Sequence, residues 1–307
     1  MTQPTRVLLL FLDGVGIGED DPETNPFVLA HARGLIPSWA ALQGGSIATL
    51  KAPRRGGSAA RSFPLDARLD TKGTPQSGTG QVALLTGEDA AELHGSHFGP
   101  WTPVALRPLV EEESVLKKAA AAGHNVAFAN AYPRGWPGDR GSRRVAGPPL
   151  AARGAGVLTR HEEALGSGDA LSSDIVNDDW KRHLGHDWLP TITPMDAGAN
   201  LARIASQANL TLYAHYATDS AGHEMSLDAA ISSLVRVEEL LASLLANLGD
   251  DVTLLVASDH GNLEDVRVGH TRNPVLGLAA GPHADAAAEM TDLRDVTPFI
   301  LDVLGVS

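Results

Sequence analysis

The sequence predicts an α/β fold: a largely parallel sheet covered by helices and interrupted by one small insertion. Strand-length apolar runs alternate with helical periodicity over both ends of the chain, the pattern of repeated strand-helix-strand units. Three of those runs stop at an acid, Asp13, Asp219 or Asp259. From residue 133 to about 192 the periodicity fades into Pro, Gly and Arg, which marks an insertion or small cap. The expected division is a core made of 1–132 and 193–307, closed around 133–192.

Each element follows from local pattern. The run VLLLFLD at 7–13 reads as a buried strand and GVGIG as the turn that ends it. A polar loop and a Gly/Ser-rich stretch lead to TPQSGTGQVALLTG, where a helix is expected to open behind the glycines. EEESVLKKAAAAG reads as one amphipathic helix stopped by Gly123, and NVAFANAY as the next strand. After the insertion come a helix at 195–208, a strand at 210–217, and a long helix at about 227–248. Strands at 252–258 and 274–279 follow, and DLRDVTPFILDVLG closes the chain as a helix.

Composition excludes several classes. A length of 307 residues is ample for a sizeable core. A formal net charge of -13 argues against a general nucleic-acid binder, whose affinity comes from clustered Lys and Arg. With no cysteine, disulfides, thiolate metal sites and cysteine nucleophiles are absent, so any metal must take oxygen and imidazole ligands. The run at 7–12 is too short for a secretory signal core and lacks a small-residue cleavage site. No run reaches the roughly 20 apolar residues of a bilayer span. A cytoplasmic protein is the expectation; nothing in the sequence sets its oligomeric state.

In an open α/β sheet, ligands bind beyond the carboxyl ends of the strands, so acids distant in sequence can converge there. Three converging carboxylates repel one another and resist burial unless a cation offsets the charge. Imidazoles accompany them: His223 four positions after Asp219, His260 directly after Asp259, and His270 in VGHTRNPV. Three Asp and three His suffice for two ions of the zinc or manganese kind. Such a pair clamps the two oxygens of an in-line displacement. Ser77, in SGTGQ, is a candidate nucleophile ahead of a helix, with Thr79 and Thr74 as alternatives. Singly these residues have ordinary readings, Ser77 as a helix cap and the histidines as loop residues; their weight comes from joint membership. GVGIG resembles a dinucleotide turn only weakly, because its spacing is not G-x-G-x-x-G and no amphipathic helix follows.

DGVGIG, SGTGQ, DSAGH, SDHGN, GHTRNPV and the closing DVTPFILDVLG, in that order along the chain, resemble the metalloenzyme core of the alkaline phosphatase superfamily, near cofactor-independent phosphoglycerate mutase and phosphopentomutase. The resemblance implies an alkaline phosphatase-like three-layer sandwich. It implies one ion on Asp219, His223 and His270, and another on Asp13, Ser77, Asp259 and His260, with Ser77 transiently phosphorylated. Two features depart from those mutases. Gln81 stands where they usually carry a His, and their larger, basic cap is replaced by a short stretch whose Arg134, Arg140, Arg143 and Arg144 are candidate phosphate ligands. The expected activity is phosphoryl transfer on a small phosphorylated metabolite, as a phosphomutase or a phosphoester hydrolase. A non-catalytic or regulatory metal-binding protein on the same fold is the alternative.

Overall fold

The computed structural model describes residues 5–137 and 144–306. Seven strands form one sheet: β1 (Arg6–Leu12), β2 (Arg55–Gly56), β3 (Ala60–Leu65), β4 (Val126–Phe128), β5 (Leu210–His215), β6 (Val252–Ala257) and β7 (Val275–Ala280). Their order is β2-β3-β7-β6-β1-β5-β4. The four strands β6, β1, β5 and β4 run parallel, as the alternation of strands and helices requires. β7 returns antiparallel to β6, and the β2–β3 hairpin extends that edge.

Side-chain alternation on the central strand builds the layers. Leu8, Leu10 and Leu12 of β1 face one core and Val7, Leu9 and Phe11 the other, so a strand of consecutive apolar residues is buried on both faces. Helices Pro194–Ala205 and Leu227–Asn247 cover the first face. Helices Ser77–Thr86, Val115–Ala121 and Val296–Leu304 cover the second. The result is the expected three-layer α/β sandwich.

Local chemistry shifts some boundaries. The helix expected over EEESVLKKAAAAG is broken at Ser114, which takes an extended conformation and whose hydroxyl accepts from the Lys117 N–H. Two shorter helices, Arg107–Glu113 and Val115–Ala121, result, because a serine can offer the backbone a cap in place of a continued helix. The strand expected to 217 ends at His215, and DSAGH lies on a helix, Ala217–His223.

Within 133–192, helix Gly147–Gly154 packs its Leu150, Ala151 and Ala152 into the second core. Residues further along form a small cluster of their own, with Leu165, Ala170, Trp180 and Leu189 against Ala131. Among the described residues, no helix is long and apolar enough to cross a membrane.

Candidate metal centre and nucleophile

Register brings the acids together. β1 lies between β5 and β6, with Leu12 beside His215 and Phe11 beside Ala257, so the three strands end at one level. Asp13, Asp219 and Asp259 follow those ends, and His270 comes from the loop between β6 and β7. Two groups of three potential ligands result: Asp13, Asp259 and His260, all buried, and Asp219, His223 and His270, more open to solvent. Within each group the ligand atoms lie within 4.8 Å of one another.

The imidazoles are oriented from behind. His270 Nδ1 lies 3.2 Å from the Pro75 carbonyl and His260 Nδ1 lies 3.3 Å from the Gly261 carbonyl. A ring that donates through Nδ1 presents Nε2 as its free lone pair, which is how metal-bound histidines are fixed. His223 Nε2 and His270 Nε2 then face each other at 3.1 Å, with Asp219 Oδ2 at 3.3 Å from the former. The helix Ala217–His223 sets Asp219 and His223 four residues apart on one face.

In the buried group, His260 Nε2 is 3.1 Å from Asp13 Oδ1 and 2.9 Å from Ser77 Oγ. Asp13 Oδ1 is nonetheless buried without a properly aligned hydrogen bond. Burial, then the Asp259 charge, push the Asp13 carboxyl well above its usual range. Burial also raises Asp259. Burial opposes a charge on His260, but Asp259, Asp13 and Asp219 outweigh it and push the ring up to about 10. Asp219 is held at about 2; its burial works against this, and the His270 hydrogen bond and the His260 charge prevail.

An orphaned carboxylate oxygen, facing imidazole nitrogens and crowded carboxylates form a donor set that a divalent cation satisfies. The oxygen and imidazole ligands present fit such an ion.

Ser77 opens helix Ser77–Thr86, all ten residues of which are buried. A Cβ on Gly80 would stand 2.4 Å from the Asp259 carbonyl, so glycine here lets the helix close on the Asp259 loop. Thr79 is fully buried, with its hydroxyl accepting from Phe98 N–H at 3.2 Å, and lies away from the cavity described below. Gln81, one turn on, donates from Nε2 to Asp259 Oδ2 at 3.1 Å and Asp13 Oδ2 at 3.3 Å, and accepts at Oε1 from Gly147 N–H at 2.9 Å.

Sequence reasoning missed Glu264. Its carboxylate is buried and accepts from Gly16 N–H at 3.0 Å, Asn262 N–H at 2.8 Å, Asn273 Nδ2 at 3.1 Å and the Thr271 hydroxyl. A Cβ on Gly16 would stand 2.3 Å from that carboxyl group. The GVGIG turn is therefore closed over by an acid from the loop after β6, in the space a dinucleotide turn would leave for its ligand. Asn262, also unremarked in sequence, donates from Nδ2 to Asp219 Oδ1 at 2.6 Å. Its place in SDHGN was the available signal.

A cavity of about 470 Å³ reaches from Asp13, Ser77 and Gln81 outward past Arg144 to Trp180. Arg134 lies outside its lining and pairs with Glu163 at 2.6 Å and Glu162 at 3.5 Å. Arg140 and Arg143 fall outside the described residues.

Fold and ligand geometry together describe an α/β protein whose strand ends carry two groups of residues suited to a divalent metal. Residues 191–307 match the family described as Metalloenzyme superfamily, a segment that holds Asp219, His223, Asp259, His260 and His270. The 2,3-bisphosphoglycerate-independent phosphoglycerate mutase of Halobacterium salinarum is 35% identical over 98 residues, 29% of this chain and 19% of that enzyme. The matched stretch thus spans about a fifth of the relative's length. Among solved structures, the PH0037 protein from Pyrococcus horikoshii aligns with a TM-score of 0.58 at 13% identity, over 100% of this chain and 98% of that one. The alkaline phosphatase from the Antarctic bacterium TAB5 aligns with a TM-score of 0.52 at 12% identity, over 99% and 98%. At these identities the structural likeness speaks for the fold alone.

Proposed function

We propose that this protein is a phosphoryl-transfer enzyme acting on a small phosphomonoester, with Ser77 as nucleophile and two divalent ions, manganese or zinc, as cofactors. One observation carries the reading: Ser77 Oγ lies 2.9 Å from His260 Nε2, at the start of a helix, on the wall of the cavity that Asp13 also lines. Asp13, Asp259 and His260, with Ser77, would hold one ion; Asp219, His223 and His270 would hold the other. Bound there, divalent ions supply Lewis acidity that lowers a hydroxyl pKa and neutralises charge on phosphoryl oxygens.

The chain's own residues do the rest. Ser77 oxygen attacks phosphorus in line, forming an O–P bond as the ester O–P bond breaks; Ser77 gives up one proton and the leaving alkoxide takes one. Gln81, tied to both buried carboxylates and to Gly147, keeps the floor of the cavity fixed beside the nucleophile. Arg144 provides a guanidinium for the phosphoryl oxygens. The stretch 133–192 serves as a small cap over the site. Water taking the phosphoserine makes a phosphatase; substrate taking it back makes a mutase. A cytoplasmic setting accords with a metabolite substrate.

The test is mass analysis of the metal-loaded protein after brief exposure to an aryl phosphate, with free phosphate and isomerised ester measured in parallel. A phosphate on Ser77, absent in Ser77→Ala along with turnover, is the expected result. An unmodified Ser77 during full turnover overturns the covalent step, and metal binding without turnover of any phosphoester favours a non-catalytic, regulatory protein.

A further inference from the structure

We propose that the cavity accepts a phosphomonoester whose other end is a flat, uncharged ring system carrying N–H and O–H groups, the chemistry of a nucleoside monophosphate. This rests on the phosphoryl-transfer reading and assigns its substrate class. Five aromatic side chains line the cavity: Trp101, Tyr132, Trp136, Trp180 and Tyr216. They come from separate segments: the loop after helix Ala90–His94, the chain beyond β4, the cap, and the residue after β5.

Each of four rings is held in place by another. Trp136 meets Tyr132 edge-on at 4.9 Å, Tyr132 stacks on Phe128 at 5.9 Å, Tyr216 meets Phe11 at 6.2 Å, and Trp180 lies 5.3 Å from His186. Rings already fixed lose little freedom when a ligand stacks on them. A volume of about 470 Å³ lies in the range of roughly 300–1,000 Å³ that encloses ligands well beyond the size of a bare phosphate.

The polar groups on the walls discriminate further. Tyr132 and Tyr216 bring their hydroxyls within 3.5 Å of each other, and burial keeps both neutral. From the cap helix Asp178–Leu184, Asp179 and His183 complete the lining. A carboxyl group there accepts from a ring N–H or a sugar O–H and repels a second anion, such as a carboxylate on the substrate. Arg144 belongs to the opposite end: three residues on, the Gly147 N–H is bound to Gln81 beside the buried carboxylates. On this reading its charge takes the phosphoryl group and the cap end takes the ring.

Two measurements test this on the metal-loaded protein. The first compares kcat/KM for adenosine 5′-monophosphate, 3-phosphoglycerate and an aryl phosphate. An advantage of at least ~tenfold for the nucleotide over the glycerate, the weight of a single good contact, is expected. Asp179→Arg, at an exposed position, should move that ratio toward the glycerate by a similar factor. The second titrates unphosphorylated adenosine into Ser77→Ala; saturable binding is expected, weakened about tenfold or more by Trp101→Ala, as loss of one stacking partner implies. Turnover of the aryl phosphate with the glycerate equal to or better than the nucleotide overturns the substrate class while phosphoryl transfer stands. Adenosine binding without turnover of any phosphoester supports the ring site and removes the phosphoryl-transfer reading instead.

Discussion

Replacing Glu264 by Gln tests whether one buried side chain sets the position of both ligand groups. Its Oε2 holds the N–H groups of Gly16 and Asn262, and its Oε1 holds Thr271 and Asn273. Gly16 lies three residues past Asp13, Asn262 two past His260, and Thr271 directly follows His270. Glutamine retains one acceptor oxygen. The less costly arrangement aims it at the two backbone N–H groups, whose donors cannot turn away, and sets the NH₂ group against Thr271 and Asn273, which can.

Hydrogen bonds to a charged acceptor contribute about 1.5–3 kcal/mol each and neutral ones about 0.5–1.5. Weakening two and rearranging two gives a loss of roughly 2–4 kcal/mol in the metal-free protein. Substitutions in the layer behind metal ligands lower affinity roughly 10–100-fold, and the same range is expected for Glu264→Gln. Competition against a chromogenic chelator, run with manganese and with zinc, measures the affinity; denaturant unfolding in excess chelator measures the stability. Metal affinity within twofold of wild type, alongside a stability loss of the stated size, refutes the idea that this carboxylate positions the ligands.

Three further outcomes are expected. Gly80→Ala drives a methyl group toward the Asp259 carbonyl, 2.4 Å from the ideal Cβ position, and overpacking of this kind costs about 1–3 kcal/mol; an unchanged denaturation midpoint counts against the close approach. His215 is buried and held down to about 4, by burial first, against an ordinary value of 6.5. Between those values the unfolded chain binds the extra proton, so stability is complete above about pH 6.5 and falls by roughly 3 kcal/mol as pH approaches 4. His215→Gln should flatten this slope in chelator-treated protein, and an equally steep slope in the variant refutes the assignment. Finally, adding manganese or zinc at about 100 times its dissociation constant stabilises the fold by about 2.7 kcal/mol; a melting temperature that ignores both metal and chelator refutes the metal centre.

Much of the candidate site was legible because the sequence interrupts strong patterns at chemically awkward residues. Asp13 and Asp259 stand where buried strands stop, and an acid is hard to bury at such a place without a partner. The periodicity of Leu227–Asn247 and the double-sided burial of β1 likewise follow from the order of apolar residues. The β2–β3 hairpin did not, since ARSFPL carries an arginine and a proline. β2 pairs only with Arg61 and Ser62, so the missing N–H of Pro64 disrupts no second ladder. Glu264 was silent for another reason. Its role depends on donors 248 positions upstream and up to nine downstream, and no periodicity encodes such a partner.

The position of β1 bears on how this chain can be made. The family-matched segment, 191–307, supplies β5, β6 and β7, yet β5 and β6 never pair with each other; β1 fills the slot between them. Without β1 that segment leaves the facing edges of β5 and β6 unpaired. During synthesis, β1 emerges before its permanent neighbours, which follow roughly 200 residues later, a delay on the order of 10–40 s at ribosomal speed. Throughout that interval RVLLLFL needs shielding from other nascent chains. The candidate ligands cannot come together until it ends, so a metal bound there would be acquired late in the life of each molecule.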